Sequence, residues 1–449
     1  MKVSVQLVIE CDDDVARTST IACMERSRLS PADLGLHLAE ARSLLRNLQG
    51  KMIGAQIAEL ERGVRLCPEC GALRHRNGRH KLVYRTVFGR LALDSPRFFA
   101  CRNCTPDPRT SQSPLAELLT CRTSPELQYL QAKFASLMSY GLTLKVLGEI
   151  LPLDHVIAAT SARRCVAQVG ARLDLLSEQV TIDCDPDERP LIPPAHPVRA
   201  IGIDGGYVKR AGCKGRSDGW FEVMVAKSER YDRPGKSMAY VHCKVARTFL
   251  RFRHFLATEG VRPSDPVTII SDGGLTVRQA QAQIGGCDEL ILDWFHVAMR
   301  IQNMMQVAKG LDGEHSDQIL KDMERIKWHL WHGCPSAAEE RLDWLIADIE
   351  ARAPNESQSK LLRMAEEFAG YIANNTHAIA DYGERFRNGD IISSSFAESA
   401  INQVISRRMV KKQQMAWSPD AAHNLLQVRT AVLNDDLKVS FDQWFPKAA

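Results

Sequence analysis

An apolar run that ends in Asp-Gly-Gly occurs twice in this chain and constrains its fold more than any other feature. Residues 198–207 read VRAIGIDGGY, and residues 267–274 read VTIISDGG. Each run has the length and β-branched content of a buried strand and ends at an acidic residue, Asp204 or Asp272. A single Asp-Gly could mark only a tight hairpin turn. Two copies predict two strands that each deliver a carboxylate at the C-terminal end, where the glycines let the backbone turn away.

A third carboxylate, Glu398, lies in the first turn of a predicted helix, beside an apolar stripe of helical spacing. Ser395 could form a capping box with Glu398, and this local role is the alternative to a chemical one. Two Mg²⁺ ions about 4 Å apart need hard oxygen ligands and open positions for substrate. Three carboxylates on two strand ends and a helix fit that need, so the sequence predicts a two-metal phosphoryl-transfer site.

The acidic residues and their neighbours resemble the DDE triad of cut-and-paste transposases with an RNase H-like core. The likeness is closer still to bacterial insertion-sequence transposases of the ISKra type, which are relatives of the Mutator group. It extends from about residue 67 to residue 437. The segments that carry it are 202–208 (GIDGGYV), 271–274 (SDGG), 293–296 (DWFH) and 398–415 (ESAINQVISRRMVKKQQM).

This resemblance implies a DDE transposase that binds the ends of its insertion sequence and catalyses two-metal-ion DNA cleavage and strand transfer. Asp204, Asp272 and Glu398 would hold two Mg²⁺ or Mn²⁺ ions per active site. His296 matches the histidine of the family's C/D-x-x-H signature, and Asp293 could substitute as a metal ligand. The partners would be double-stranded DNA, as terminal inverted repeats and as target, and further copies of the chain in a homodimer or higher oligomer. The alternatives are an inactive DNA-binding protein and an RNase H-like nuclease without strand transfer.

Two C-x-x-C pairs, Cys67 with Cys70 and Cys101 with Cys104, predict a structural zinc site. Each such turn directs two sulfurs to one point, and tetrahedral Zn²⁺ takes four ligands of this kind. Residues 82–93 read as two strands about a glycine turn, as in a zinc ribbon. A redox role is disfavoured, because a redox C-x-x-C would not occur twice without a surrounding βαβ pattern.

Positive charge gathers in particular segments, although the net charge is only +4. Cations matched to phosphates supply most sequence-independent DNA affinity, so their placement matters more than their total. One cluster lies in the ribbon, one on the last of three helices that form either a helix-turn-helix or a plain bundle, and one after Glu398. Solvated surface is the alternative for each cluster. The predicted DNA contacts are Arg74, Arg76, Arg79, Lys81, Arg85, Arg163, Arg164, Arg407, Arg408, Lys411 and Lys412.

The order of these features predicts a multidomain α/β protein with an RNase H-like mixed-sheet core. No run suits a membrane span, residues 1–10 are too short for a signal peptide, and thirteen scattered cysteines disfavour a disulfide framework. We therefore expect a cytoplasmic protein, associated with the nucleoid when it is bound to DNA. The expected divisions are a helical arm (1–62), a zinc-ribbon-like module (63–110), a helix-turn-helix-like domain (115–180), a Pro-rich linker (181–197), the first part of the core (198–296), an α-helical insertion (297–385) whose three tryptophans pack inside it, and the final core helix with Glu398 (386–437).

Overall fold

The computed structural model has two compact units, Met1–Val166 with Lys438–Ala449, and Ala167–Leu437. Both combine helices with strands, which confirms the mixed α/β class. No helix in the described part of the chain is long and apolar enough to cross a membrane. The predicted Pro-rich linker lies outside the described residues. These are residues 1–10, 16–27, 29–31, 33–104, 110–153, 158–178, 198–213, 219–245, 248–262, 265–284, 289–311, 314–351, 356–409 and 415–446.

Unit 1 begins with a hairpin, so the predicted helical arm (1–62) is helical only in its second part. Strand β1 (Lys2–Ile9) pairs antiparallel with β2 (Arg17–Glu25), and one long helix, α1 (Leu38–Val64), follows. The β2 sequence RTSTIACME is rich in β-branched residues, which favour a pleated strand. Helix α1 starts only after His37, whose backbone N–H donates to the carboxylate of Glu40 at 3.0 Å.

The predicted ribbon hairpin is confirmed. Strand β3 (Arg76–Thr86) pairs antiparallel with β4 (Gly89–Phe99), and Gly89 has a φ of 115° at the turn, where a side chain would be strained. The short strand β5 (Ser111–Gln112) adds to β4, and helix α2 (Pro114–Leu118) follows it. A small apolar core of this region includes Leu82, Leu93 and Leu115.

Three helices follow in the region predicted to resemble a helix-turn-helix: α3 (Pro125–Leu137), α4 (Tyr140–Ile150) and α5 (Ala159–Glu178). The Ser-Pro-Glu sequence at 124–126 is a typical helix start, and α3 begins there: the Ser124 hydroxyl accepts the backbone N–H of Leu127 at 3.3 Å. At twenty residues, α5 is longer than the others, and it extends past the boundary between the two units.

Unit 2 is built on a five-stranded sheet with the order β10-β9-β6-β7-β8. Strands β10, β9 and β6 are parallel to one another, whereas β7 and β8 continue the sheet with antiparallel pairing. The strands are β6 (Val198–Lys209), β7 (Trp220–Arg230), β8 (Ser237–Val241), β9 (Thr268–Ser271) and β10 (Glu289–Leu292).

Helices cover both faces of this sheet. One face packs Ile201 and Ile203 against α6 and α7, and the other packs Ala200 and Ile270 against Phe396 of α13. Helices α8 to α11 form a further apolar core of their own. The helices of unit 2 are α6 (Thr248–Thr258), α7 (Leu275–Ile284), α8 (Trp294–Ala308), α9 (Glu314–Trp331), α10 (Pro335–Ala351), α11 (Glu356–Asn375), α12 (Tyr382–Asn388), α13 (Ser395–Ile401) and α14 (Pro419–Leu433). The last helix, α15 (Asp436–Trp444), belongs mostly to unit 1.

The three tryptophans expected inside the helical insertion do not share one environment. Trp331 packs against Trp294, with ring centroids 4.9 Å apart. Trp328 is 54% exposed and Trp344 is 68% exposed, so the prediction is wrong for these two. In α9 the buried stripe includes Ile326, and a residue two positions further along a helix points away from that stripe.

Candidate carboxylate site and four-cysteine centre

Three neighbouring parallel strands each lead to an aspartate at the same level of the sheet. The residues that pair across the strands just before this level are Ile203, Ser271 and Leu292. The next residues, Asp204, Asp272 and Asp293, therefore form a row, and adjacent strands lie about 4.8 Å apart. Side chains alternate between faces, so the aspartates point to the face where Ile270 and Ile291 pack with Phe396 of α13.

Helix α13 and the turn that continues it (Asn402–Ser406) approach this face closely because two glycines flank Asp204. A Cβ on Gly202 would lie 2.7 Å from the Cβ of Ala397, and a Cβ on Gly206 would lie 2.6 Å from Cδ1 of Ile405. Both glycines share the face of Asp204 by strand alternation. Since Glu398 follows Ala397 on α13, the glycines bring the third carboxylate over the aspartate row.

The predicted turn after each aspartate forms only once. Strand β9 ends at Ser271, Gly273 has a φ of 71°, and Asp272 Oδ1 accepts the N–H of Gly274 at 2.9 Å. Strand β6 instead runs on through its glycines to Lys209, so Asp204 lies inside a strand and not at its end. The reason is that β7 keeps pairing with β6 beyond the point where β9 stops.

The pKa of Asp204 is raised by its surroundings. Burial raises its pKa to about 6, and the carboxylates of Asp272 and Glu398 add to the rise. The N–H of Gly205, which donates to Asp204 Oδ1 at 2.7 Å, and the nearby His296 oppose it. Asp204 is therefore within electrostatic reach of the other two predicted ligands, and its ionised form gains from a cation.

Glu398 has no capping role. Helix α13 begins after Ser394, so Ser395 is already helical and the predicted capping box does not form. The backbone N–H of Glu398 donates to the carbonyl of Ser394 at 3.1 Å, while its side chain is exposed. Among the residues that the structure describes, none donates a hydrogen bond to this carboxylate. The local alternative to a ligand role is therefore disfavoured.

Asp293 is a buried anchor. Its Oδ1 accepts the N–H of Phe295 at 2.7 Å as the cap of α8, and its Oδ2 accepts both the N–H and the hydroxyl of Ser394. Burial alone would raise the pKa of Asp293, but hydrogen bonds from His296 and Ser394 hold it below its usual value. With both oxygens engaged, Asp293 is poorly suited to replace a metal ligand. It ties the start of α8 to the segment before α13.

His296 lies in the first turn of α8, with Nδ1 3.1 Å from Asp293 Oδ2. That hydrogen bond raises the pKa of His296, and the carboxylates of Asp272 and Asp204 raise it further. Since Nδ1 is engaged, Nε2 is the atom that can contact a substrate or a ligand.

The carboxylates do not form a tight single-ion cluster. Within the described ranges, only the four cysteines bring the ligand atoms of three or more His, Cys, Asp or Glu residues within 4.8 Å of one another. Asp204, Asp272 and Glu398 share one face at wider spacing. A pair of ions about 4 Å apart spans more widely spaced ligands than one ion does.

The four cysteines form a cluster that can hold a structural metal such as zinc. The Sγ atoms of Cys67 and Cys104 are 3.9 Å apart, and those of Cys70 and Cys101 are 3.5 Å apart. Tetrahedral Zn–S bonds of about 2.3 Å require sulfurs about 3.8 Å apart, which agrees. Backbone N–H groups of Cys70 and Glu69 lower the pKa of the Cys67 thiol to about 7, which favours the thiolate that binds metal.

We expect Cys70→Ser to remove bound zinc and to lower the unfolding temperature of the ribbon, because metal binding there contributes directly to folding free energy. The measurement is zinc content per chain by atomic emission, with thermal unfolding alongside. Cys243→Ser is the matched control, since Cys243 is also exposed and lies outside the cluster. Zinc retained at the wild-type level in Cys70→Ser would contradict the assignment.

Several ribbon cations predicted to contact DNA already have protein partners. Arg74 donates to the carbonyl of Phe99 at 3.2 Å and to the side chain of Gln112 at 2.9 Å. Arg76 and Arg79 both pair with the carboxylate of Glu61, at 3.0 Å for Arg79. The Glu61 carboxylate offsets part of the charge of Arg76 and Arg79, and the contacts of Arg74 occupy N–H donors that could otherwise bind a phosphate.

The other predicted DNA contacts differ in exposure. Lys81 and Arg85 of β3 are exposed, as are Arg163 and Arg164 of α5 and Arg407 after α13. Arg408 is 3% exposed, with its guanidinium 5.1 Å from the ring centroid of Trp417, so its burial disfavours the predicted phosphate contact. Lys411 and Lys412 lie outside the described residues.

Sequence reasoning missed Arg429, which is 2% exposed on α14. Its guanidinium donates to the backbone carbonyls of Gln403 and, at 2.8 Å, Val404. Both belong to a π-helical turn, Asn402–Ser406, that directly continues α13. Arg429 thus supports the wide turn beyond Glu398, and no local sequence pattern indicates this contact between distant positions.

A scan against protein-family models found no match to this chain, and a search of curated proteins found no significant match either.

Proposed function

We propose that this chain is a DDE transposase with an RNase H-like core, which cleaves DNA at the ends of its element and joins those ends to target DNA. The observation that carries the proposal is the aspartate row with Glu398 brought over it by the Gly202 and Gly206 contacts. The raised pKa of Asp204 adds to it, because carboxylates that resist ionisation together are suited to binding cations. The parallel and antiparallel strand order agrees with an RNase H-like sheet.

The roles follow from the positions of the residues. Asp204, Asp272 and Glu398 would hold two Mg²⁺ or Mn²⁺ ions, which when bound lower the pKa of an attacking hydroxyl and stabilise the leaving oxygen. Asp293 fixes the ring of His296 through Nδ1 and leaves Nε2 to face the reacting groups. Exposed cations, Arg407 among them, would contact the DNA backbone.

The proposed chemistry has two steps and no covalent enzyme intermediate. In the first, the oxygen of water attacks a phosphorus at the element's end, the bond from phosphorus to the 3′ oxygen breaks, and that oxygen takes up a proton. In the second, the freed 3′-hydroxyl loses its proton and attacks a phosphorus of target DNA, the bond from that phosphorus to the target's own 3′ oxygen breaks, and the released oxygen takes up a proton. Two ends are joined, so a homodimer or larger assembly is expected.

The test uses purified protein, the DNA ends that flank its gene, a target plasmid and Mg²⁺ or Mn²⁺, with Glu398→Gln in parallel. We expect metal-dependent joining of ends to plasmid by the wild type and none by the variant, because the exposed Glu398 carboxylate would be an ion ligand. End binding should be nearly equal in both proteins. Nicking without joining would favour a nuclease, and binding with neither reaction would favour a DNA-binding protein without catalysis.

A further inference from the structure

An arginine lies close to the carboxylate site without belonging to the predicted set of functional residues. The guanidinium of Arg300 on α8 lies 4.2 Å from the ring centroid of Tyr371 on α11. The Tyr371 hydroxyl donates to the backbone carbonyl of Asp272 at 2.9 Å. Arg300 also follows His296 by four residues, so both side chains lie on the same face of α8.

The electrostatics of Tyr371 show that these groups form one neighbourhood. Burial raises the pKa of the Tyr371 phenol, and the carboxylates of Asp272 and Asp293 raise it further. The charge of Arg300 and a hydrogen bond from it act in the opposite direction. Arg300 therefore shares an environment with the carboxylates, where a cation offsets part of the negative charge that would repel a DNA strand.

The contact with Tyr371 positions Arg300 and leaves it accessible. The guanidinium lies over the Tyr371 ring and one of its N–H groups interacts with the phenol, which leaves its other N–H donors for a ligand. Arg300 is exposed, whereas the nearby Arg278 is only partly exposed and donates to the carbonyl of Asn374 at 2.9 Å. A planar fork with outward donors matches the oxygens of a phosphate.

We propose that Arg300, held on the ring of Tyr371, binds a phosphate of the DNA strand next to the phosphate attacked at the carboxylate site. This proposal rests on the function proposed above and adds a specific contact with the substrate. The proposed ions would contact the phosphate under attack, and Arg300 would give the strand a second contact beside them, which helps to fix its position. Tyr371 acts as a positioning residue, since it joins Arg300 to the backbone of Asp272.

The experiment compares wild type, Arg300→Gln and Arg300→Lys in cleavage of the element-end duplex and in binding of the same duplex at several salt concentrations. We expect Arg300→Gln to cleave about 10- to 100-fold more slowly. The slope of log binding constant against log salt concentration should fall by about one, the amount expected for one lost phosphate contact. Arg300→Lys keeps the charge and loses the fork, so it should restore binding more than cleavage. Arg363→Gln is the control, since Arg363 is exposed on α11, 3.9 Å from Glu367, and should behave as wild type.

Neutral methylphosphonates, placed singly along the strand, locate the contact. One position near the cleavage site should weaken wild-type binding and have no added effect in Arg300→Gln. The proposal would be overturned if Arg300→Gln cleaved at the wild-type rate, or if each methylphosphonate weakened binding equally in both proteins. Asp204→Asn in the same series distinguishes a failure of the proposed catalytic site from a failure of the proposed Arg300 contact. If no protein cleaves, the catalytic proposal fails, while the salt and methylphosphonate data on binding still decide the role of Arg300.

Discussion

Asp204→Asn is expected to abolish metal-dependent DNA cleavage, with a loss of about 10³-fold or more, and to make the folded chain more stable in the absence of Mg²⁺. The catalytic loss follows because an amide is a weaker ligand for a hard cation than a carboxylate. Cleavage rate and chemical denaturation in Mg²⁺-free buffer are the two measurements. No chelator is used, because it would also strip a zinc ion held by the cysteines.

The stability gain follows from the pKa of Asp204. Its folded value of about 6 exceeds the ordinary 3.8, so the folded state binds more protons than the unfolded state between these values. Wild-type stability should therefore fall as pH rises from about 4 to about 6, by up to ~3 kcal/mol for a shift of this size. Asn has no such ionisation, so the variant should lack this fall and gain relative stability at neutral pH.

Glu398→Gln is the matched control for this pair of effects. The substitution should remove cleavage, because Glu398 would be an ion ligand. It should bring no comparable gain in stability at neutral pH, because the side chain is exposed. Added Mg²⁺ should stabilise the wild type more than either variant, since a ligand that binds only the folded state raises the free energy of unfolding. An Asp204→Asn protein that cleaves normally, or whose stability follows the wild-type pH profile, would contradict the assignment.

Arg429→Met is expected to lower the free energy of unfolding by about 2–4 kcal/mol and to slow cleavage by about 10- to 100-fold. Burial lowers the pKa of Arg429 to about 10, helped by the charges of Arg408 and Arg407, so Arg429 stays protonated at neutral pH. Methionine fills similar space but cannot donate to the carbonyls of the π-helical turn, which stay buried without that donor. The turn continues α13, so its relaxation would displace Glu398.

The kinetic constants kcat and KM distinguish a positioning role of Arg429 from a purely structural one. Arg429→Met should lower kcat with little change in KM for DNA, and Arg429→Lys should recover part of kcat. Arg407→Gln, an exposed neighbour, should instead weaken DNA binding. A destabilised Arg429→Met protein with unchanged kcat below its unfolding temperature would show that the turn does not position Glu398.

Local patterns predicted the elements whose cause is local. The Ser124 cap, the hairpin about Gly89 and the two C-x-x-C turns each depend on residues a few positions apart, and each appears in the structure. The Asp-Gly-Gly pattern had the expected role only once. Gly273 turns the backbone after Asp272, whereas Gly206 beside Asp204 permits the close approach of Ile401 and Ile405.

Sequence patterns alone determined the mixed α/β class, the grouping of the four cysteines, and the acidic residues to test first. Tertiary structure decided which strands are neighbours, and therefore that Asp293 lies level with Asp204 and Asp272. It also decided that the carboxylate of Asp293 accepts hydrogen bonds from Ser394. It further decided that Arg408 is buried, that Arg429 supports the turn after α13, and that Arg300 lies over the ring of Tyr371 beside Asp272. The physical reason is that these contacts join residues far apart in the chain. Burial and strand register arise only when the sheet and its helices pack together, and no local periodicity encodes them.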